Sequence, residues 1–216
     1  MCLISRLIRN MDEKLIEILS KTGQLFMRFG IKSMTMDDIA RQLGVSKKTL
    51  YQYVNDKNDL VVKTMQAIVE HEQNISNSIC QMHENAIDML FELSKDIGQK
   101  FGQIHPSIHY DLQKYHPEAW EIFMSFKKDF VAECIEQNIK KGIEQGLFRE
   151  NQDPYVTSRL YASRIDLLMD SEMFPPDKFS FSMLHLEMMR YHIRGLASEK
   201  GLKYLKEKIK QENIHL

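Results

Sequence analysis

A chain of 216 residues, 43% of them hydrophobic and 27% charged, carries enough apolar side chains to bury a core and is too apolar to stay unfolded. Its 29 Lys and Arg against 30 Asp and Glu leave a formal net charge of −1, so overall charge announces no nucleic-acid partner. Cys2, Cys80 and Cys134 are an odd number without Cys-x-x-Cys spacing, which argues against a disulfide framework and a thiolate metal site and fits a reducing cytoplasm. The basic excess is local: through Leu60 there are ten Lys and Arg against seven Asp and Glu. The opening MCLISRLIRNMDEK has Arg6 and Arg9 inside its apolar run, too early for a signal peptide, and residues 1–11 read as an arm. No apolar run approaches the roughly 20 residues needed to cross a bilayer, so a soluble, cytoplasmic protein without membrane partners is expected.

In chain order, Leu15, Ile18, Leu19, Leu25, Phe26 and Phe29 recur at three- and four-residue steps, which predicts a first helix ending at Gly30. Thr35-Met-Asp-Asp38 opens a second like a capping box; Ile39, Ala40 and Leu43 form its apolar face and Gly44 stops it. Ser46 caps a third, and Asp56 with Asp59 marks a fourth running towards residue 80. Beyond it the pattern stays helical. His105-Pro106, His116-Pro117, Gly142/Gly146, Asp153-Pro154, Pro175-Pro176 and Gly201 punctuate it into an all-α protein of nine or ten helices, because a proline disfavours helix in the residue before it.

The third segment carries Lys, Thr, Tyr and Gln where a core helix would carry aliphatics. On a helical wheel Lys48, Gln52 and Asn55 fall together, with Lys47, Tyr51 and Thr49 at the edges, while Leu50 and Val54 point backwards. Such a helix after a short Gly-containing turn is a helix-turn-helix whose second helix enters the DNA major groove. Gln pairs with adenine edges and Lys with guanine edges, whereas hydroxyls and helix-start amides suit phosphates. The competing reading is a solvated helix pair in an ordinary bundle.

The stretch MTMDDIARQLGVSKKTLYQYVNDKNDLV, preceded by LFMRFG, closely resembles the N-terminal DNA-binding segment of the TetR/AcrR transcriptional regulators. The likeness covers roughly residues 12 to 61, with Val54 where the family usually has Phe. The resemblance implies a helix-turn-helix domain at 12–60 joined to a helical ligand-binding and dimerisation bundle at 61–216. It places Thr35, Tyr53 and Lys57 on phosphates, and Lys47, Lys48, Thr49, Tyr51 and Gln52 at the groove beside the capping Ser46. Further on, KKGIEQGLFRENQDP resembles the family's junction between two long helices, and RGLASEKGLKYL the end of many members.

By resemblance the chain forms a homodimer through helices at 154 to 173 and 178 to 197, with Leu160, Ile165, Leu168, Leu184, Met188 and Ile193 as candidate contacts, each nearly as well suited to an internal core. A dimer reads a palindromic operator in double-stranded DNA, with half-sites about 34 to 36 Å or a multiple apart. Fourteen Met residues suit irregular apolar shapes. Met82, Met89, Phe101, Tyr110, Trp120, Phe123 and Met124, with Phe126, are candidates for a pocket taking an apolar or amphipathic effector, or for plain core. His105, His109, Asp111 and His116 are too loosely spaced for a metal site, His185 and His192 are candidates for the dimer interface, and the lysines of 203–210 for a solvated face. No catalytic arrangement, phosphate loop, metal or cofactor motif is present, so no enzyme is expected. The expected function is a ligand-released repressor; a constitutive regulator or adaptor without ligand response is the alternative.

Overall fold

A computed structural model describes residues 13–101 and 104–212. The arm expected at 1–11 lies outside them. Among the described residues there are eleven α-helices and one π-helical turn, with no strand beyond a single isolated bridge. The chain divides into two compact units, residues 1–74 with 104–126, and 75–103 with 127–216. That division differs from the boundary expected at residue 60, because a segment from the middle of the chain joins the N-terminal helices.

In the first unit α1 (Glu13–Phe29) ends at Gly30, whose φ of 80° is the left-handed geometry that stops a helix. The Thr35 hydroxyl accepts from Asp38 N while Asp38 accepts from Thr35 N, a complete capping box that starts α2 (Met36–Leu43). Gly44, at φ 68°, closes it. Next come α3 (Lys47–Leu50) and the first part of α4 (Lys57–Met82), a single 26-residue helix whose sequence continues into the second unit. Ile39, Leu50, Val54, Leu60 and Ile18 are buried together, each worth about 1.5 to 3 kcal/mol relative to exposure.

The segment that joins this unit is α6 (Ile108–Tyr115) and α7 (Pro117–Ser125). Leu112 and Ala119 enter the same core, with Trp120, Ile108 and Ile122 packed against it. Polar bonds fix the docking: His105 N donates to Met27 O at 2.7 Å, and Lys32 N to the buried carboxylate of Asp111 at 3.0 Å. His116 Nδ1 meets Asn58 Oδ1 at 2.8 Å.

The second unit is built from α5 (Ala86–Phe101), α8 (Ala132–Glu144), α9 (Pro154–Leu168), α10 (Phe181–Leu196) and α11 (Glu199–Glu212), and α8 follows directly from the π-helical turn Phe126–Val131. Its core is Ile87, Leu90, Phe91, Ile139, Phe148, Met189 and Ile193 among others. The two C-terminal segments that carried the family likeness meet here. Phe148 bridges Ala197, Arg149 N donates to Leu196 O and Ser198 N to Leu147 O, both at 2.9 Å. Two glycines allow that approach, since a Cβ at Gly142 would stand 2.0 Å from the Phe148 ring and one at Gly201 2.0 Å from Leu147 O. Lys208, expected on a solvated face, instead folds inward: it pairs with Asp88 at 2.8 Å and lies over the Phe91 ring. No helix among the described residues is long and apolar enough to cross a membrane.

Candidate nucleic-acid interface

The turn between α2 and α3 is Gly44-Val45-Ser46, and Ser46 starts α3 by accepting from Thr49 N at 3.0 Å. Helical hydrogen bonding then tightens. Only Lys47–Leu50 is α-helix, and Gln52 N and Tyr53 N turn back to the carbonyls three residues earlier. A regular wheel therefore overstates the length of this helix, yet the division of faces survives. Leu50 and Val54 are buried against α1, α2 and α4 neighbours, while Lys47, Lys48, Tyr51, Gln52 and Asn55 are exposed. Two cations, a phenol and an amide on one short rigid element are the donors that base edges and phosphates accept.

Several of these side chains are engaged within the chain itself. Lys47 Nζ is 2.9 Å from Asp37 Oδ1, a contact that raises the lysine pKa and ties the first turn of α3 to that of α2. Thr35 spends both its donors on Asp38, whose carboxyl is held below the ordinary range by the threonine hydroxyl and then its amide. A phosphate contact from Thr35 has to displace that box. Thr49 is half-buried with its hydroxyl 2.8 Å from that of Ser46, and Tyr53 packs against the core. Lys57, the first residue of α4, is half-buried; burial lowers its pKa, and neighbouring Asp111 opposes the shift. His116 is pushed down by its own burial and then by the Lys57 charge. Sequence reasoning missed this partnership, because Asp111 and His116 lie more than fifty residues downstream.

The candidate pocket residues are not brought together in one unit. Tyr110, Trp120, Phe123 and Met124 belong to the first, Met82 and Met89 to the second. Met82 is 71% exposed, Met89 is buried beside the Asn138 amide, and Tyr110 is exposed against Tyr115. Trp120 stacks edge-on to His109 at 4.7 Å and tilts over Phe123. The side chain of Phe101 lies outside the described residues. His105 and Asp111 both meet the Ser107 hydroxyl at 3.0 Å, and Asp111 also accepts from Lys32 N, while His109 packs on Trp120 and His116 meets Asn58.

The dimer candidates separate by burial. Leu160 is 53% exposed, Ile165, Leu168 and Leu184 are partly covered, and Met188 and Ile193 are inside the core of their own chain. Those last two are spent within the bundle and cannot reach a partner. His185 and His192 also turn inward: His185 stacks on Phe181, His192 lies 4.8 Å from the Tyr161 ring, and burial depresses both pKa values to about 4. Their Nε2 atoms and Asn138 Oδ1 are buried without a hydrogen-bond partner.

Residues 18–71 match the model of a family described as bacterial regulatory proteins, tetR family. Over 139 residues the chain is 28% identical to YvaF, an uncharacterized HTH-type transcriptional regulator of Bacillus subtilis (strain 168), spanning 61% of this chain and 73% of that protein. The fold is similar to that of the reduced form of E. coli NemR, with a TM-score of 0.70 and 15% identity over 87% of this chain and 98% of that one. It is equally similar, at 0.70 and 12% identity over 86% and 98%, to a TetR family transcriptional regulator from Agrobacterium tumefaciens.

Proposed function

We propose that the chain is a tetR-family transcriptional regulator, a reading that the match over residues 18–71 and the likeness to an HTH-type regulator support, and that it is a repressor that binds a palindromic operator as a homodimer and is released by a small amphipathic ligand. The observation that carries the reading is the split of α3: Lys47, Lys48, Tyr51 and Gln52 exposed over buried Leu50 and Val54. Lys48 and Gln52 select bases. Lys47 contributes to phosphate binding once it leaves Asp37, and Ser46 with Thr49 shapes the start of the helix. One such element reads only a few base pairs, so tight binding needs two on a two-fold axis.

Support for the dimer comes from α9 and α10. Val156, Leu160 and Leu167 fall on one stripe of α9 at spacings of four and seven residues, all exposed, and Met183 and Tyr191 are exposed on α10. Apolar side chains on a stripe of this kind favour an isologous partner surface. Support for an amphipathic ligand comes from Asn138 Oδ1, His185 Nε2 and His192 Nε2, buried polar atoms of the second unit left without partners, the Asn138 amide lying beside Met89. A buried acceptor or donor left unpaired costs about 1 to 3 kcal/mol, which a ligand with a complementary polar group recovers. Release then requires that the ligand bind the DNA-free form more tightly, and coupling of about 1 to 3 kcal/mol changes operator affinity some 5- to 150-fold.

The test is a footprint of the purified protein on fragments of its own genome, paired with sedimentation of the free and DNA-bound protein. A protected inverted repeat bound by two chains supports the proposal. Protection of a single unrepeated half-site by one chain would refute the dimeric reading.

A further inference from the structure

We infer that Cys80 and Cys134 form a peroxide-reactive dithiol that closes to an intramolecular disulfide and so makes operator binding sensitive to oxidants. The two residues are 54 positions apart in sequence, yet each thiol is the largest influence on the other's ionisation, and both are only partly covered, so a small neutral oxidant can reach them.

The placement is a consequence of how α8 grips the end of α4 and the turn into α5. Lys141 Nζ donates to His83 O at 3.0 Å, Asn138 Nδ2 to Ala86 O at 2.9 Å, and Gln145 Oε1 accepts from Ala86 N at 3.0 Å. Positions 134, 138, 141 and 145 are spaced by four, three and four residues, which puts them on one face of α8. Cys134 therefore belongs to the stripe that holds the 80–86 segment, and Cys80, in the last turn of α4, is its counterpart. Bonds on the following turns of α8 fix the register that keeps the two thiols neighbours, and oxidation closes them to the ~2.05 Å of an S–S bond.

The chemistry is asymmetric. The neighbouring Cys134 thiol, helped by the charge of Lys141, lowers the Cys80 pKa to about 7, whereas Cys134 is held protonated by its thiolate neighbour and by burial. Cys80 is then the attacking thiolate and Cys134 the resolving thiol. The Cys80 sulfur attacks one peroxide oxygen, the O–O bond breaks, and the departing alkoxide or hydroxide takes a proton to leave as alcohol or water. Cys134 attacks the resulting sulfenic acid, the S–O bond breaks, and hydroxide leaves as water with the Cys134 proton. Two thiols give up two electrons, and one peroxide is reduced. The product locks the C-terminal end of α4 to α8. Because α4 is one helix that starts at Lys57 in the first unit, the lock acts on an element shared with the DNA-binding half of the chain.

The experiment uses the full chain with Cys2→Ser, so that the pair alone supplies thiols. Hydrogen peroxide should lower the intact mass by two hydrogens and give a non-reducing peptide map joining the segments that contain Cys80 and Cys134. With Cys134→Ser added, Cys80 should stop at a sulfenic acid trapped by a cyclic 1,3-dione. Recovery of both thiols in alkylatable form, or over-oxidation of Cys80 without the cross-link, would overturn the site. The second arm rests on the DNA-binding reading above and fails separately from it: reduced protein must bind the operator, and oxidation should change that affinity at least about fivefold, reversibly with a thiol reductant and not in Cys134→Ser. Equal affinity of the reduced and disulfide forms would overturn the regulatory claim.

Discussion

Acidifying the medium should unfold the second unit through two histidines. His185 and His192 are buried on α10, beside Phe181 and Tyr161 respectively, and the charge of Arg164 lowers the His192 pKa further. Burial is the first cause of both shifts, which bring the imidazoles from an ordinary 6.5 to about 4. The unfolded chain thus binds protons that the folded one excludes. Stability is intact above pH 6.5 and is lost as the pH falls from there towards 4. At pH 5 linkage gives about 2 kcal/mol per histidine, about 4 kcal/mol for the pair, against a typical total of about 5 to 15 kcal/mol. The assay is urea unfolding by far-ultraviolet circular dichroism at pH 7.5 and pH 5, with imidazole proton resonances followed through the same range. The single tryptophan, Trp120, lies in the first unit and reports that unit alone. His185→Gln with His192→Gln should flatten the pH dependence. An acid sensitivity as steep in the double variant as in the parent would refute the reasoning.

Gly142→Ala would put a Cβ 2.0 Å from the Phe148 ring and should cost about 1 to 3 kcal/mol by overpacking, read as a lower denaturation midpoint, with Phe148→Leu in the same chain restoring part of it. Thr35→Ala removes the capping box of α2 and should cost about 1 kcal/mol of stability even without DNA, whereas a residue that served only phosphate binding would leave stability unchanged. Leu160→Glu places a charge on the exposed stripe of α9 and should leave a folded monomer in sedimentation that no longer binds an inverted repeat tightly; a dimer of unchanged strength would remove α9 from the interface.

The parts of the fold that were legible in the sequence are those written by local chemistry. Thr35 with Asp38, Gly44 and Ser46 each satisfy or terminate backbone groups within four residues, so their roles follow from spacing, and the split between Leu50/Val54 and Lys48/Gln52 follows from periodicity. Positions that depend on distant partners were not legible. Pro106 and Pro117 mark where α6 and α7 begin, but nothing near them says that Leu112, Asp111 and His116 pack against α1 and α4 of the first unit. Helix α10 is apolar around so much of its girth that its phase cannot be read, which is why Met188 and Ile193 stay open between interface and core in the sequence, while the two histidines read as interface residues and lie inward. Lys208 reads as solvated until Asp88 and Phe91, more than a hundred residues earlier, are placed beneath it. The Cys80 and Cys134 thiols meet only because α8 grips the end of α4, and no short spacing encodes that.

The central claim is that the exposed face of α3 reads DNA sequence. It is tested most directly by titrating the protein and its Gln52→Ala variant against the footprinted operator and a scrambled duplex of equal length over a series of salt concentrations. The expected result is a loss of about 1 to 3 kcal/mol on the operator, little change on the scrambled duplex, and the same salt slope for both proteins. Equal losses on the two duplexes, or an operator affinity untouched by the substitution, would contradict the account.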